Sequence, residues 1–295
     1  MRRTDLRLPM RYLILCVIVV LMTAETALFS QEVFTNKGNS DTTFLHRSLH
    51  DGRLVFRPLT ANPFEGRVGT MYQADDNKLR LDIGNSIDLF RLTDDVWIGA
   101  DFYTYTRLRS EGNFKFPVET SDYFFGINAS TLPLRFGKIP HPFAFRLRLA
   151  HISSHLVDGL ADNTGRLNPQ PFVYSREFAD FTAALCMRWW RPYIGINYVW
   201  ATQPRSAERF IPSAGFDFEH PITAKMYIHG GIDCKAVGVN GVYEGQISGQ
   251  TGFLFYNDNS TATAINAYWF SGRSIHGMFF TQRDAYLAIG FQVIF

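Results

Sequence analysis

A two-residue rhythm of polarity, running from about Arg67 to Phe295, constrains this chain more than any other feature. In Lys78–Arg91, for example, apolar residues alternate with charged and polar ones. Successive side chains of a β-strand point to opposite faces, so such a segment has one apolar face and one polar face. Beyond the N-terminal region, no apolar stretch is long enough to form a transmembrane helix. Only a closed barrel carries such segments across lipid, because it pairs every backbone group internally.

About twelve segments show the rhythm, which lies within the range of single-chain outer-membrane barrels. We therefore predict an all-β fold, a transmembrane antiparallel β-barrel of about twelve strands over residues 66–295, preceded by a signal peptide. The aromatic share of 15% fits strands and membrane interfaces. The long connections 110–119, 156–170, 203–208 and 273–283 are predicted on the extracellular side, and 131–142 is unexpectedly long for a periplasmic link. The predicted strands are approximately 67–75, 78–91, 96–107, 121–130, 143–154, 172–188, 191–202, 208–218, 222–235, 241–255, 261–272 and 284–295.

The N-terminus reads as an export signal. Four arginines precede the apolar run 12–22, and small residues follow it. We predict a signal peptide over 1–30, cleaved between Ala24 and Ser30, with an uncleaved anchor as the alternative. Residues 31–65 are polar and are predicted to form a periplasmic lead-in or a plug segment.

The last segment alternates from Leu287 to Phe295 and places Leu, Ile, Phe, Val and Phe on one face. It resembles the C-terminal signal that the outer-membrane barrel assembly machinery reads. That resemblance implies the machinery as a partner through the strand ending at Phe295, and a location in the bacterial outer membrane. Outer-membrane lipid or lipopolysaccharide is the other expected partner. The alternative is the ordinary terminal strand of a soluble protein.

Charge and cysteine content argue against several kinds of binding site and against a disulfide framework. The 29 basic and 27 acidic residues give a formal charge of +2, and no basic cluster tracks a phosphate backbone, so nucleic-acid binding is not expected. Cys186 and Cys234 are predicted near opposite ends of the barrel, beyond the reach of a disulfide. His141, His220 and His229 have no ligand-like spacing to a Cys, Asp or Glu cluster, so no metal site is assigned, and no cofactor is predicted.

Three stretches resemble an uncharacterised bacterial family, labelled domain of unknown function 1207. They are 56–63 (FRPLTANP), 151–158 (HISSHLVD) with 174–177 (YSRE) after it, and 272–284 (GRSIHGMFFTQRD). The chain departs from the family pattern at Val157, where glycine is usual, and at Gly159, where an acid is usual. The resemblance implies an outer-membrane architecture and no particular reaction.

A candidate catalytic group lies on two neighbouring predicted strands. His151 and Ser153 fall on the apolar, outward face of their strand, and Glu177 falls on the same face one strand over. Acyl transfer requires a serine nucleophile, a histidine base and a group that orients the histidine. The arrangement is similar to outer-membrane phospholipase A and the lipid A deacylase, which carry a lipid-facing His-x-Ser. That similarity implies Ser153 as nucleophile, His151 as base and Glu177 as orienting residue.

Three functions remain open at this point. The sequence supports an envelope barrel with a structural or lipid-interacting role and no assignable reaction, in which His151 and Ser153 are merely interfacial polar residues. The alternative is an outer-leaflet lipid acyl-ester hydrolase, a serine-type enzyme. A narrow solute channel is the further alternative, because a set of charged residues is predicted to line the lumen. These residues are Arg80, Asp82, Asp88, Asp101, Arg107, Arg146 and Arg148.

Overall fold

A computed structural model describes residues 54–111, 113–257 and 261–294 of the 295-residue chain. The predicted signal peptide, the first part of the predicted lead-in at 31–53, and Phe295 lie outside the described residues. Among the described residues, no helix has the length and apolar character to cross a membrane.

Twelve antiparallel strands close into one barrel, in which each strand pairs with its neighbours in sequence and β1 pairs with β12. This confirms the predicted fold class and strand number. Two short 3-10 helices, Asp158–Leu160 and Gly277–Phe279, lie in loops. The strands are β1 (Val68–Gln73), β2 (Lys78–Arg91), β3 (Val96–Arg109), β4 (Val118–Thr131), β5 (Phe143–Leu156), β6 (Tyr174–Leu185), β7 (Trp190–Gln203), β8 (Phe210–Pro221), β9 (Met226–Val239), β10 (Val242–Tyr256), β11 (Ala262–Arg273) and β12 (Arg283–Ile294).

The loops differ in length between the two ends of the barrel. We call the outer end the one that carries loops 110–117, 157–173, 204–209 and 274–282, and the opposite end the inner end. Two details differ from the prediction. The inner turn between β8 and β9 is 222–225, so His220 and Pro221 belong to the end of β8. The long inner link 132–142 folds back, since Leu134 forms two backbone hydrogen bonds with Phe143 and Phe136 packs edge-on against Phe143 and Phe145.

The outward faces of the strands form an apolar surface. A strand of 14 residues such as β3 extends roughly 45 Å and, tilted as in a barrel, spans a hydrocarbon core of about 30 Å. Large apolar side chains that would be buried in a soluble protein are exposed here, which is the expected inversion for strands facing lipid. Examples exposed by more than half are Ile83, Ile87, Leu89, Phe102, Ile127, Ile194, Ile265, Leu287 and Ile289.

The lumen contains paired charges beside buried aromatic and aliphatic side chains such as those of Tyr105 and Phe124. Arg80 Nε lies 2.7 Å from Asp82 Oδ1, and Arg107 Nε lies 2.8 Å from Glu119 Oε2. Of the charged residues predicted for the lumen, all but Asp88 are buried, and Asp88 is part-buried against a backbone amide. Buried charges persist only when they are paired and hydrogen-bonded, and the pairs Arg107–Glu119 and Arg148–Asp101 join different strands of the wall.

Residues 54–66, which we call the plug, lie in the lumen at its inner half. Their backbone is held from several sides of the wall: Tyr103 donates to Phe64 O at 2.6 Å, Arg80 donates to Pro63 O at 2.8 Å, and Ser248 donates to Ala61 O at 2.8 Å. Polar backbone buried without partners is costly, and here the wall side chains supply those partners. The plug is therefore bonded to β2, β3 and β10, among other strands.

Glu65 anchors the plug electrostatically. It is 2% exposed and meets two guanidinium groups of β5, Arg146 Nη1 at 3.1 Å and Arg148 Nη2 at 2.6 Å. Burial alone would raise the pKa of Glu65, but the two arginines outweigh burial and lower the pKa to about 2. The carboxylate is therefore ionised at neutral pH and, together with Asp101 at 3.3 Å from Arg148, balances the two guanidinium charges.

This pKa predicts a stability change in acid. Because the folded-state pKa of Glu65 lies below its ordinary value of 4.5, its contribution is fully present above pH 4.5 and is lost as the pH falls towards about 2. The difference corresponds to about 3 kcal/mol of unfolding free energy. Urea unfolding of the detergent-solubilised barrel at pH 6 and pH 2.5 should show a smaller pH effect for Glu65→Gln than for the parent. An equal pH effect in both proteins would contradict this contribution of Glu65.

Loop 274–282, which we call the cap, folds into the outer half of the lumen. His276 is 2% exposed, and its Nδ1 lies 2.7 Å from Asp122 Oδ2, while Gly277 N donates to Asp122 Oδ1 at 2.7 Å. A side chain at Gly277 would overlap the Tyr174 ring, because an added Cβ would lie 2.3 Å from it. Close backbone approach therefore fixes the cap against β4 and β6.

Candidate functional site

The candidate site lies on the outside of the barrel, where β5 and β6 pair. In β5 the side chains at 147 and 149 are exposed and those at 146, 148, 150 and 152 are buried, so the odd-numbered positions face outward. His151 and Ser153 continue this outward row towards the outer end of β5. In the pairing register, His151 is directly opposite Glu177 and Ser153 is directly opposite Ser175.

The central contact joins His151 to Glu177. His151 Nδ1 lies 2.9 Å from Glu177 Oε1, and the two side chains are 29% and 32% exposed. The His151 ring also stacks on Phe125 of β4, with ring centroids 4.8 Å apart and planes 23° from parallel. A carboxylate on Nδ1 fixes the ring so that Nε2 is the nitrogen left to exchange a proton.

Ser153 shares the face of His151 but is not bonded to it. Residues two apart on a strand point the same way and stand roughly 6.6 Å apart along it. Among the described residues, no hydrogen bond joins Ser153 Oγ to the His151 ring. Catalytic hydrogen bonds of this kind are often long before substrate binds and shorten in the complex. The structure brings His151 and Glu177 together and leaves Ser153 beside them.

Ser175 is a member of this cluster that the sequence analysis did not single out. Its hydroxyl donates to Glu177 Oε1 at 2.9 Å, so it holds the same carboxylate oxygen that contacts His151. The signal was present in the sequence, because Ser175 lies two residues before Glu177 and therefore on the same face. Its cross-strand position opposite Ser153 depends on register, which the sequence did not define.

The strand irregularity nearest the site lies between β6 and β7, not between β5 and β6. The β6–β7 register shifts between Glu177 and Phe178, and Trp200 is the β7 residue passed over. A bulge re-aims side chains locally. The β5–β6 pairs around His151 and Ser153 are continuous, so the shared outward face of these residues is preserved.

The surroundings divide into an apolar region below the site and a polar region above it. Towards the inner end, the outward residues Leu147 and Leu149 are 43% and 45% exposed. Towards the outer end, the outward side chains are those of Ser153 and His155. This change from apolar to polar marks the height at which hydrocarbon gives way to the headgroup layer.

Solved structures show what this barrel is similar to. Outer membrane phospholipase A from Escherichia coli matches with a TM-score of 0.52 and 11% identity, over 85% of this chain and 97% of that one. An active-site mutant of the same protein gives 0.54 and 12%, over 85% and 97%. The Salmonella typhi outer membrane phospholipase dimer with bound calcium gives 0.54 and 11%, over 82% and 98%.

At this identity the likeness concerns the fold. The chain is a twelve-stranded β-barrel of the outer-membrane type. Its apolar outer surface and closed ring of strands belong in a lipid bilayer, which locates it in the bacterial outer membrane.

Comparison of the sequence with known families and proteins assigns the chain to no family. No family model matches the chain, so the resemblance to domain of unknown function 1207 has no support from that side. No curated protein matches it either.

Two other sequence predictions can be compared with the described residues. In that part of the chain, the side chains of Cys186 and Cys234 are both buried. Burial raises the pKa of the Cys186 thiol to about 11, despite the nearby Arg191, so it is not a reactive thiolate at neutral pH. The same residues contain no cluster of three or more His, Cys, Asp or Glu that could hold a metal ion.

Proposed function

We propose that this barrel is a serine-type lipid acyl-ester hydrolase, acting at its outward face with Ser153, His151 and Glu177. The observation that carries the proposal is the 2.9 Å contact between His151 Nδ1 and Glu177 Oε1 on a surface that faces lipid. The pair lies at the edge of the apolar band, where lipid removes part of an imidazole and a carboxylate from water at a cost, so a polar pair at this position calls for a functional reason. The solved outer membrane phospholipase A barrels, which share the fold, are named for this class of reaction.

The proposed chemistry uses each residue once. Ser153 Oγ attacks the ester carbonyl carbon while His151 Nε2 accepts the hydroxyl proton, and His151 then returns a proton to the leaving alcohol. Water releases the acyl group from Ser153 by the same route. Glu177, held by Ser175, keeps the imidazole in the tautomer with Nε2 free and stabilises the imidazolium that forms.

The height of the site supports a lipid ester as substrate. An acyl chain can lie along the exposed Leu147 and Leu149, and the ester then stands at the level of His151 and Ser153. Outer-membrane phospholipid and lipid A both present acyl esters at this level. A reaction at the outside wall requires no passage through the lumen, and the lumen contains the plug and the cap. We therefore do not propose a solute channel.

A covalent phosphonate probe tests the proposal directly. A fluorophosphonate should form an adduct on Ser153 through loss of fluoride, detected by mass spectrometry of the peptide, and His151→Ala should abolish the adduct because the base is removed. Ser121, which faces outward on β4 and bonds to Thr104 and Thr106, is the matched serine and should stay unmodified. Absence of an adduct on Ser153 in folded protein, or equal labelling after His151→Ala, would exclude the assignment.

Glu177 is expected to act through His151. Glu177→Ala should lower the turnover of phospholipid by about a hundredfold, with little change in KM, since general-base contributions are of this size. Glu177→Gln keeps an oxygen acceptor for Nδ1 and should recover much of that loss. Kinetics on micellar phospholipid measure both variants. If Glu177→Gln were as inactive as Glu177→Ala, the carboxylate charge would matter more than ring orientation.

A further inference from the structure

A chamber lies in the lumen between the plug and the cap. The space between the atoms of its lining is about 910 Å³, part of it open solvent, and the centre of a water-sized sphere can occupy about 70 Å³ of it. Phe64 of the plug and Phe280 of the cap contribute to its lining, and β4 to β11 supply the rest. The chamber is separate from His151 and Ser153, because those side chains face outward.

Within the chain as described, one basic residue of the chamber has no carboxylate in contact with it. Three of its basic residues, Arg148, Lys235 and Arg273, pair with carboxylates. The fourth, Arg176 of β6, has no carboxylate within ion-pair distance among the described residues. The acidic lining residue, Asp180, shares the inward face of β6 with Arg176 and contacts the Thr182 hydroxyl and the Asn197 amide, each at 3.5 Å. Arg176 is thus a cation on the chamber wall that lacks a contacting carboxylate from the described strands and loops.

The immediate surroundings of Arg176 are aromatic and do not neutralise it. Its Cζ lies 5.3 Å from the centroid of the Tyr174 ring, a cation–π contact. Such a contact offsets only part of the cost of removing a guanidinium from water. An entering anion would complete the pairing, because carboxylate and phosphate oxygens match the planar donors of arginine.

The chamber wall also holds polar atoms that the protein leaves without partners. Within the described part of the chain, Arg176 Nε, Asn197 Oδ1, Gln246 Nε2 and Arg273 Nε are buried and form no hydrogen bond. All four belong to residues that line the chamber. Buried polar atoms are nearly always paired in native proteins, so these four require partners from water or from a ligand that enters the chamber.

Much of the rest of the lining is apolar, and Asn62, Thr182, Ser213 and Ser274 are the other polar residues in it. Phe124 and Phe178 meet edge-on with centroids 5.7 Å apart, and Ile152, Ile211 and Phe280 extend this surface. A small anion that bound only to Arg176 would leave this apolar surface in contact with water. A ligand with both a charged group and an apolar body would use both halves of the chamber.

We propose that the chamber binds a single-chain anionic amphiphile, with its charged group on Arg176 and its apolar body against Phe124, Phe178 and Phe280. Octanoate is a suitable probe, because it carries one carboxylate and a short chain and is soluble as a monomer. The site is independent of the proposed hydrolase, so Ser153→Ala should bind octanoate as the parent does.

The experiment measures octanoate binding to the full barrel in zwitterionic nanodiscs by equilibrium dialysis, with empty nanodiscs subtracted. The parent should show one saturable site per barrel. Arg176→Gln should weaken binding at least tenfold, and octanamide, which lacks the charge, should bind the parent at least tenfold more weakly than octanoate. Arg205→Gln is the matched control, because Arg205 is an exposed arginine in an outer-end loop and should have no effect.

A second variant tests the apolar half. Ile211→Trp should fill the chamber and remove saturable binding, and heat-dependent gel mobility checks that each variant is folded. Three results would overturn the proposal: no saturable octanoate binding by the parent, equal affinity in Arg176→Gln and the parent, or competition by acetate or inorganic phosphate as strong as that by octanoate. The last would show an anion site without an amphiphile.

Discussion

Replacing Ser153 with alanine is expected to lower acyl release from phospholipid at least about a thousandfold, because a serine hydrolase has no other atom to form its acyl intermediate. The fold should be unaffected, since Ser153 forms no side-chain hydrogen bond among the described residues and faces outward. Release of radiolabelled fatty acid from mixed micelles of phospholipid and purified barrel measures the effect. Lipid A in place of phospholipid then identifies which ester is preferred.

Two outward serines serve as controls for that result. Ser121→Ala on β4 lies outside the proposed site and should retain the parent rate. Ser175→Ala removes a hydrogen bond to Glu177 and should cost only a few fold, so it also separates the two serines that face each other across β5 and β6. If Ser153→Ala retained the parent rate, the enzyme proposal would be abandoned in favour of a structural or lipid-interacting barrel. A large loss in Ser175→Ala alone would reassign the nucleophile.

Glu65→Ala is expected to lower the free energy of unfolding by about 3–5 kcal/mol, the usual cost of breaking a buried ion pair from one side. Arg148 retains Asp101 at 3.3 Å, whereas Arg146 has no other carboxylate partner among the described residues. A buried guanidinium left in this state is more costly than the lost contact itself. Urea titration at pH 7, followed by tryptophan fluorescence of the detergent-solubilised barrel, measures the change.

Glu111→Ala is the matched control for Glu65→Ala. Glu111 also pairs with an arginine, Arg109, at 2.6 Å, but its side chain is 43% exposed. Exposed pairs contribute about 0–1 kcal/mol, so Glu111→Ala should change the unfolding free energy little. Similar losses in the two variants would show that burial of Glu65 between Arg146 and Arg148 does not stabilise the plug.

The candidate site was predictable in part. The sheet face on which His151, Ser153 and Glu177 lie can be predicted by counting along each strand, because successive side chains alternate between the two faces. Their heights relative to one another do not follow, since a register slip of two residues preserves every face and moves Glu177 away from His151. The pairing of His151 with Glu177, and of Ser153 with Ser175, was therefore a result of the structure.

The sequence by itself determined the architecture: twelve alternating segments, an apolar outside, a charged lumen and the strand boundaries to within a few residues. It did so because every strand that faces lipid must carry apolar residues at alternate positions. This pattern lies within a single segment, so it can be recognised without knowing which strands pair. Only the tertiary structure decided how the lumen is filled. The plug at 54–66, its anchor Glu65 and the cap at 274–282 join residues far apart in sequence, and no periodicity records which buried charge meets which partner. The chamber around Arg176 arises in the same way, because many strands contribute to its wall.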